Sequence, residues 1–156
     1  MRRSKAKKRI LLPDPKFGSE LVTRFVNNLM LDGKKSISFK VFYNALDIIS
    51  KKVQDEDSLS VFKKSLENVT PQVEVMSRRI GGATFQIPQP VREDRKTSLA
   101  IKWLIAAARN RSENSMALNL SSEMIAAYKE EGSAYKKKQD THRMAEANKA
   151  FSHFRF

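Results

Sequence analysis

Residues 21–36 read LVTRFVNNLMLDGKKS, and apolar pairs recur every four positions along the first ten of them. This spacing is that of an amphipathic α-helix with one buried face. Ser19 stands where a helix N-cap is expected and Gly33 where a helix stop is expected. The pattern therefore predicts a helix over 19–33, followed by a turn that displays Lys34 and Lys35.

Helical patterns also fill most of the sequence after this turn. The second helix should cover about 36–53, with Ile37 on its buried side, and a short third helix should follow the acidic run 55–57 and end at Pro71. An Ala-rich helix with Trp103 and Ala106 facing inward should end near 109–111. The fifth helix is expected at 115–131, with Gly132 as its cap, and the last helix at 133–150.

Residues 73–91 have a different pattern, because β-branched and aromatic residues flank Gly81 and Gly82. This is typical of a β-hairpin with a tight turn. Pro88 and Pro90 lie two positions apart, so their missing N–H groups fall on the same edge of the strand, which must face away from its partner. A two-stranded ribbon is marginally stable alone, so we expect it to protrude from the helical body and to be steadied by what it touches.

The predicted fold class is mainly α, a six-helix body with one protruding two-stranded β-hairpin and a basic N-terminal arm. Residues 1–16 should be the flexible arm, 17–150 a single helical domain and 151–156 a C-terminal tail. The final helix carries hardly any apolar stripe, so an external surface is expected for it. The aromatic and basic tail could stack on bases or dock on a neighbouring protein.

The composition is strongly basic, with 30 Lys+Arg against 17 Asp+Glu and a net charge of +13 over 156 residues. A surplus of this size costs self-repulsion that a polyanion would neutralise. The chain has no cysteine, which removes disulfides, thiolate zinc sites and thiol nucleophiles. The apolar stretch after the basic N-terminus is too short for a signal peptide or a membrane span, so a soluble cytoplasmic protein with no membrane partner is expected.

A search for catalytic groups yields no convincing set. His142 and His153 lack metal-ligand spacing, and no nucleophile elbow is present. The paired carboxylates, including Glu93 and Asp94, stand at expected helix ends, where capping or solvation explains them. We therefore expect no enzyme activity, no metal and no cofactor. An RNA-processing enzyme that uses Glu93 and Asp94 would require loss of turnover, with binding intact, when both are mutated.

The positive residues are dispersed over several predicted elements, which suits a folded RNA with grooves and junctions better than a straight duplex. A DNA-architectural, histone-like protein is the alternative, since it would also be small and basic with a β-ribbon arm. Filter binding of bent duplex DNA and folded RNA at matched salt separates the two hypotheses. Affinity that did not depend on salt would contradict both, because phosphate neutralisation releases counterions.

Several runs together resemble the bacterial small-subunit ribosomal protein S-seven family, and they follow one another along essentially the whole chain. The first is the stretch that predicts the first helix and its turn. These runs are FVNNLMLDGKKS at 25–36, VFYNAL at 41–46, NVTP at 68–71, RRIGG at 78–82, RNR at 109–111 and FSHFR at 151–155, besides the basic arm.

The resemblance implies a structural constituent of the ribosome that binds 16S rRNA in the head of the small subunit and nucleates its assembly, without catalysis. It implies partners in the exit-site tRNA, the mRNA and the platform protein S-eleven, which the C-terminal tail would approach. The residues implied on rRNA are Arg2, Arg3, Lys5, Lys7, Lys8, Arg9, Lys34, Lys35, Arg92, Arg95, Lys96, Arg109, Arg111 and Met116. Those implied near tRNA and mRNA are Arg78, Arg79, Gly81, Gly82, Thr84 and Arg143.

Overall fold

The computed structural model describes residues 9–54 and 56–154, and within these ranges it confirms a mainly helical fold with one antiparallel hairpin. A short 3₁₀ helix, η1, follows the last α-helix. The elements in chain order are α1 (Glu20–Leu29), α2 (Lys35–Lys52), α3 (Ser58–Val69), β1 (Val73–Ile80), β2 (Ala83–Pro90), α4 (Glu93–Arg109), α5 (Met116–Tyr128), α6 (Gly132–Ala147) and η1 (Lys149–Phe154).

The core is built around three phenylalanines from the first three helices. Phe25 of α1, Phe42 of α2 and Phe62 of α3 are fully buried, with ring centroids 5.1 to 5.4 Å apart. Two of the three contacts are edge-to-face, which the ring quadrupoles favour. Helix α5 closes the core, since it packs on α2, α3 and α4 and buries Leu120 and Met124 completely.

Two positions predicted to be buried are exposed. Helix α1 ends at Leu29 rather than Gly33, because the backbone of Met30 leaves the helical conformation (ψ 136°); the left-handed Asp32 and Gly33 then turn the chain. No part of α1 then extends over the first turn of α2, and Ile37 there is 55% exposed. Ala106 is exposed as well, because it lies on the side of α4 opposite its buried face.

The hairpin turns at Gly81 and Gly82, whose φ angles of +57° and +91° fit the type I′ geometry that matches strand twist. Beyond the prolines, the Val91 N–H donates to the Gln72 carbonyl (3.0 Å). Since hydrogen-bonded pairs alternate along an antiparallel ladder, this bond places the two β2 prolines at the non-hydrogen-bonded positions, as their spacing predicted.

The hairpin is steadied along its length by the chain's own C-terminal segment. The Phe85 ring of β2 lies 5.3 Å from Phe151 and 5.6 Å from Phe154, both in η1. Ile87 of β2 is fully buried, and α6 packs against both strands. Two of the tail aromatics that the sequence left available to bases or a neighbouring protein thus pack on the hairpin.

The chain before α1 is fixed to the helical body at Asp14, whose side chain is almost fully buried. One carboxylate oxygen accepts from the backbone N–H groups of Lys16 (3.1 Å) and Phe17 (2.9 Å), and the other accepts from the Tyr43 hydroxyl (2.6 Å). Burial, followed by the hydrogen bond to Asp14 and its charge, raises the pKa of Tyr43 to about 12. The chain just before α1 is therefore held at a fixed point on the body.

Replacing Tyr43 by Phe should lower the free energy of unfolding by about 1.5–3 kcal/mol, because a hydrogen bond to a charged group is lost while Asp14 stays buried. The measurement is urea unfolding at pH 7, with Phe39→Leu as a control for altered packing beside the ring. An unchanged midpoint in Tyr43→Phe would mean that the bond to Asp14 adds nothing to stability.

The hairpin is also tied to α6 through His142, whose Nε2 accepts from the Gln72 N–H at 3.1 Å. Burial first, and then the charge of Lys138, lowers the pKa of His142 below its usual 6.5. The unfolded chain therefore takes up the proton at a higher pH than the folded chain. The contribution of His142 to stability is complete above pH 6.5 and is lost as the pH falls through the lowered pKa of the folded state.

We expect His142→Gln to remove part of the stability that the wild type loses between pH 7.5 and 5.5, since glutamine can accept the bond but does not titrate. Urea unfolding at both pH values measures the difference, and His153→Gln, in the exposed part of η1, is the matched control. Equal acid losses in wild type and His142→Gln would contradict this role.

Candidate nucleic-acid interface

A hollow of about 500 Å³ lies where the ends of α1 and α4 meet the first turns of α2 and α5. It brings together three of the residues that sequence analysis placed on RNA, namely Lys34, Arg109 and Met116, from separate parts of the chain. Its floor and walls are largely apolar. The lining consists of Leu29, Leu31, Asp32, Lys34, Ile37, Ser38, Val41, Arg109 and Met116.

The positive charge at this hollow faces solvent. The Lys34 side chain is 62% exposed, and its ammonium lies 3.8 Å from the carboxylate of Asp32, which is 80% exposed, so water screens this pair. Lys35 stands beside it with its ammonium 5.7 Å from the Phe39 ring centre. Arg109 donates from Nη2 to the Leu29 carbonyl (3.2 Å), which caps α1 and fixes the guanidinium at the rim.

Two helix N-termini add to this potential. Lys34 is the N-cap of α2, and no acidic residue lies in the first turn of that helix. Helix α5 starts at Met116, with the Ser115 hydroxyl accepting from the Leu118 N–H. A helix N-terminus carries roughly half a positive charge, so the hollow combines fixed cations with two partial positive charges and suits a phosphate.

The predicted cations at the start of α4 are engaged with acids of the same chain to different degrees. Arg92 is exposed at the N-cap position. The Nε of Arg95 lies 2.8 Å from both carboxylate oxygens of Glu74 on β1, yet 53% of the arginine side chain stays exposed. Lys96 is less open, because it donates to Glu93 at 2.6 Å and is 23% exposed.

Arg111 faces inward rather than toward solvent. Its Nε donates at 2.7 Å to Glu123, a carboxylate with no exposed surface. The other Glu123 oxygen accepts from the Ala134 N–H at 2.9 Å, at the start of α6. The charge of Arg111 is therefore balanced inside the protein, unlike that of Arg109 two residues earlier.

The residues predicted near tRNA and mRNA occupy two places. Arg79 and Thr84 face each other across the hairpin and are exposed, as are Gly81 and Gly82 at its turn, whereas Arg78 is half-buried. Arg143 is 80% exposed on α6 and lies 3.9 Å from Asp140. It borders a depression with Glu130, Tyr135 and Lys136, and the hairpin tip contributes no residue to that lining.

The structure adds two cations that sequence analysis did not single out. Arg24 lies on the exposed side of α1 and lines a cleft together with Arg9, and Lys102 is exposed on α4. Arg24 is the one cation of α1, and Lys102 lies on the exposed stripe of α4 between Arg95 and Arg109; on such polar faces, sequence cannot distinguish a binding cation from a solvated one. Arg2, Arg3, Lys5, Lys7 and Lys8 lie outside the described residues.

Residues 9–54 and 56–154 contain neither a cluster of metal ligands nor a membrane-spanning helix. No group of three or more His, Asp or Glu side chains there is placed to hold a metal ion. No helix in this part of the chain is both long and apolar enough to cross a membrane.

Comparison with known proteins agrees with the resemblance in the sequence. The profile of the family described as "Ribosomal protein S7p/S5e" matches residues 1–149. Proteins named "Small ribosomal subunit protein uS7" align over the full length of both chains, with 66% identity in Flavobacterium johnsoniae, 60% in Cytophaga hutchinsonii and 54% in Bacteroides fragilis. With that coverage and identity, the chain belongs to the ribosomal protein S7p/S5e family.

Proposed function

We propose that the protein binds 16S rRNA directly in the head of the small ribosomal subunit, in the cytoplasm, and nucleates assembly of the head. The observation that carries this proposal is the hollow between α1, α2, α4 and α5, where Lys34 and Arg109 meet two helix N-termini. Such a site holds backbone phosphate, and its apolar lining packs on the sugar and base surfaces of the same strand.

The implied rRNA residues divide by their surroundings into direct and indirect contributors. The residues proposed to touch rRNA directly are Arg2, Arg3, Lys5, Lys7, Lys8 and Arg9 of the arm, and Lys34, Lys35, Arg92, Arg109 and Met116 of the body. Arg95 can add a contact from its exposed half while it stays paired with Glu74. Lys96 is partly neutralised by the exposed Glu93, whereas Arg111 acts mainly from within by holding the buried Glu123.

The second part of the proposal is that the hairpin tip and α6 line the exit-site tRNA and the mRNA path. Arg79 and Thr84 form one exposed face of the tip, and Arg143 projects from α6. The C-terminal tail is proposed to approach the platform protein S-eleven. Because Phe151 and Phe154 already pack on Phe85, the exposed residues of η1 are left for that contact, namely Lys149, Ala150 and His153.

Replacing Lys34 by Gln should weaken binding to a 16S head fragment roughly five- to tenfold near 0.15 M salt and reduce the salt slope by about one, since one phosphate contact disappears. Filter binding across a salt series measures both quantities. Lys52→Gln is the matched control, because it removes the same charge from the opposite end of α2, about 25 Å away by helix rise. Equal slopes for wild type and Lys34→Gln would exclude the hollow as a phosphate site.

Replacing Arg79 by Ala should leave folding and rRNA affinity unchanged but release exit-site tRNA roughly tenfold faster. One charge-assisted hydrogen bond contributes about 1.5–3 kcal/mol, which is at least a tenfold effect. The experiment compares tRNA dissociation from assembled subunits that carry the wild type, Arg79→Ala or the conservative Arg79→Lys. Normal retention in all three would refute the role of the hairpin tip.

A further inference from the structure

We infer that the groove between α1 and α4 is a track for RNA backbone phosphates that runs from Arg9 to Arg109, with Arg24 and Lys102 as contacts along it. This inference rests on the proposed function, because it assigns a second stretch of the same RNA to a surface outside the hollow. It adds binding residues that neither the sequence patterns nor the hollow indicate.

The groove begins as a cleft of about 410 Å³ between the two helices. It is made by one guanidinium from the chain before α1, another from α1, and hydroxyl groups from α4. The lining consists of Arg9, Leu11, Arg24, Asn28, Asp94, Thr97, Ser98 and Ile101. The position of Arg9 is set by a nearby anchor, since the Leu12 carbonyl accepts from the Thr23 hydroxyl at 2.9 Å.

The cleft and the hollow occupy neighbouring positions on the same pair of helices, since Asn28 lines the cleft and Leu29 lines the hollow. Arg109 crosses from α4 to the last carbonyl of α1, that of Leu29, and both residues line the hollow. Ser98 and Arg109 are eleven residues apart, or about 16 Å along the helix. Lys102 lies one turn after Ser98 on the exposed stripe of α4, so cations occur at the start, middle and end of this path.

The chemistry of the groove favours RNA backbone over other anions. Arg9, Arg24, Lys102 and Arg109 outnumber the two acids that line the cleft and the hollow, Asp94 and Asp32. A chain of spaced cations fits the repeated phosphates of a strand better than a compact anion.

The hydroxyl groups of the groove favour RNA over DNA. Ser98 donates its hydroxyl hydrogen to the Asp94 carbonyl at 2.9 Å, and Thr97 donates to the Glu93 carbonyl at 3.5 Å. Both oxygens therefore retain lone pairs that can accept from a ribose 2′-hydroxyl.

The test uses full-length protein and a 16S head fragment in filter binding across a salt series. Arg24→Gln and Lys102→Gln should each reduce the salt slope by about one, and the double variant by about two. Arg24→Lys keeps the charge and should keep the slope. Lys129→Gln, at the exposed end of α5, and Lys52→Gln are matched controls on other elements and should bind this fragment as the wild type does.

The outcomes separate this inference from the proposed function. A wild-type affinity that does not vary with salt would sink the proposed function itself. A steep wild-type slope that Arg24→Gln and Lys102→Gln leave unchanged would overturn the track alone. Equal decreases of the salt slope in the control variants would overturn the track too, because any surface cation would then contribute to the slope. Urea unfolding of each variant shows whether a change in salt slope comes from misfolding. If it does, the salt slope of Arg24→Lys, which keeps the charge, decides whether the track stands.

Discussion

The contact among the rings of Phe25, Phe42 and Phe62 holds α1, α2 and α3 together at one point, and the geometry of the proposed RNA surface depends on it. Each ring is fully buried, and truncating such a side chain typically costs about 3–5 kcal/mol. Because the turn between α1 and α2 is tethered on both sides by this contact, the backbone that carries Lys34 is held in place. Rigid placement lets a lysine meet a phosphate without first losing the freedom of a mobile loop.

The acids of this basic chain are used to build its framework. Glu123 pairs with Arg111 and caps α6, and the left-handed Gly132 passes so close that a side chain there would press on the carboxylate. Asp14 fixes the chain before α1, and Glu74 holds Arg95 against β1. A buried ion pair contributes little net stability, but removing one partner is strongly destabilising because the other charge is left buried and unpaired. Acids held in these contacts do not neutralise cations elsewhere, so cations such as those of the hollow remain in surplus on the surface.

Sequence indicated the elements with local signals and missed the contacts that join distant segments. The helices and the Gly81–Gly82 hairpin follow from periodicity and turn chemistry. The exposure of Ile37 did not, because it depends on where α1 ends relative to α2. Arg109 and Arg111 look alike in sequence, and only the position of Glu123, twelve residues beyond Arg111, makes one a surface group and the other an internal counter-ion. The packing of Phe85 on η1 likewise joins residues that no local pattern relates.

Several cations oppose the helices on which they stand. Lys34 and Lys35 begin α2 without an acid in its first turn, and Arg92, Arg95 and Lys96 cluster at the start of α4. A positive side chain at a helix N-terminus repels the helix dipole, at a cost of about 0.3–1 kcal/mol for each exposed charge. Glu93 and Asp94 offset this in α4, whereas α2 has no such compensation. A phosphate bound at the hollow would neutralise both the lysines and the helix end. Binding would then relieve the repulsion that destabilises α2 in the free protein, and the free energy gained would add to the affinity for RNA.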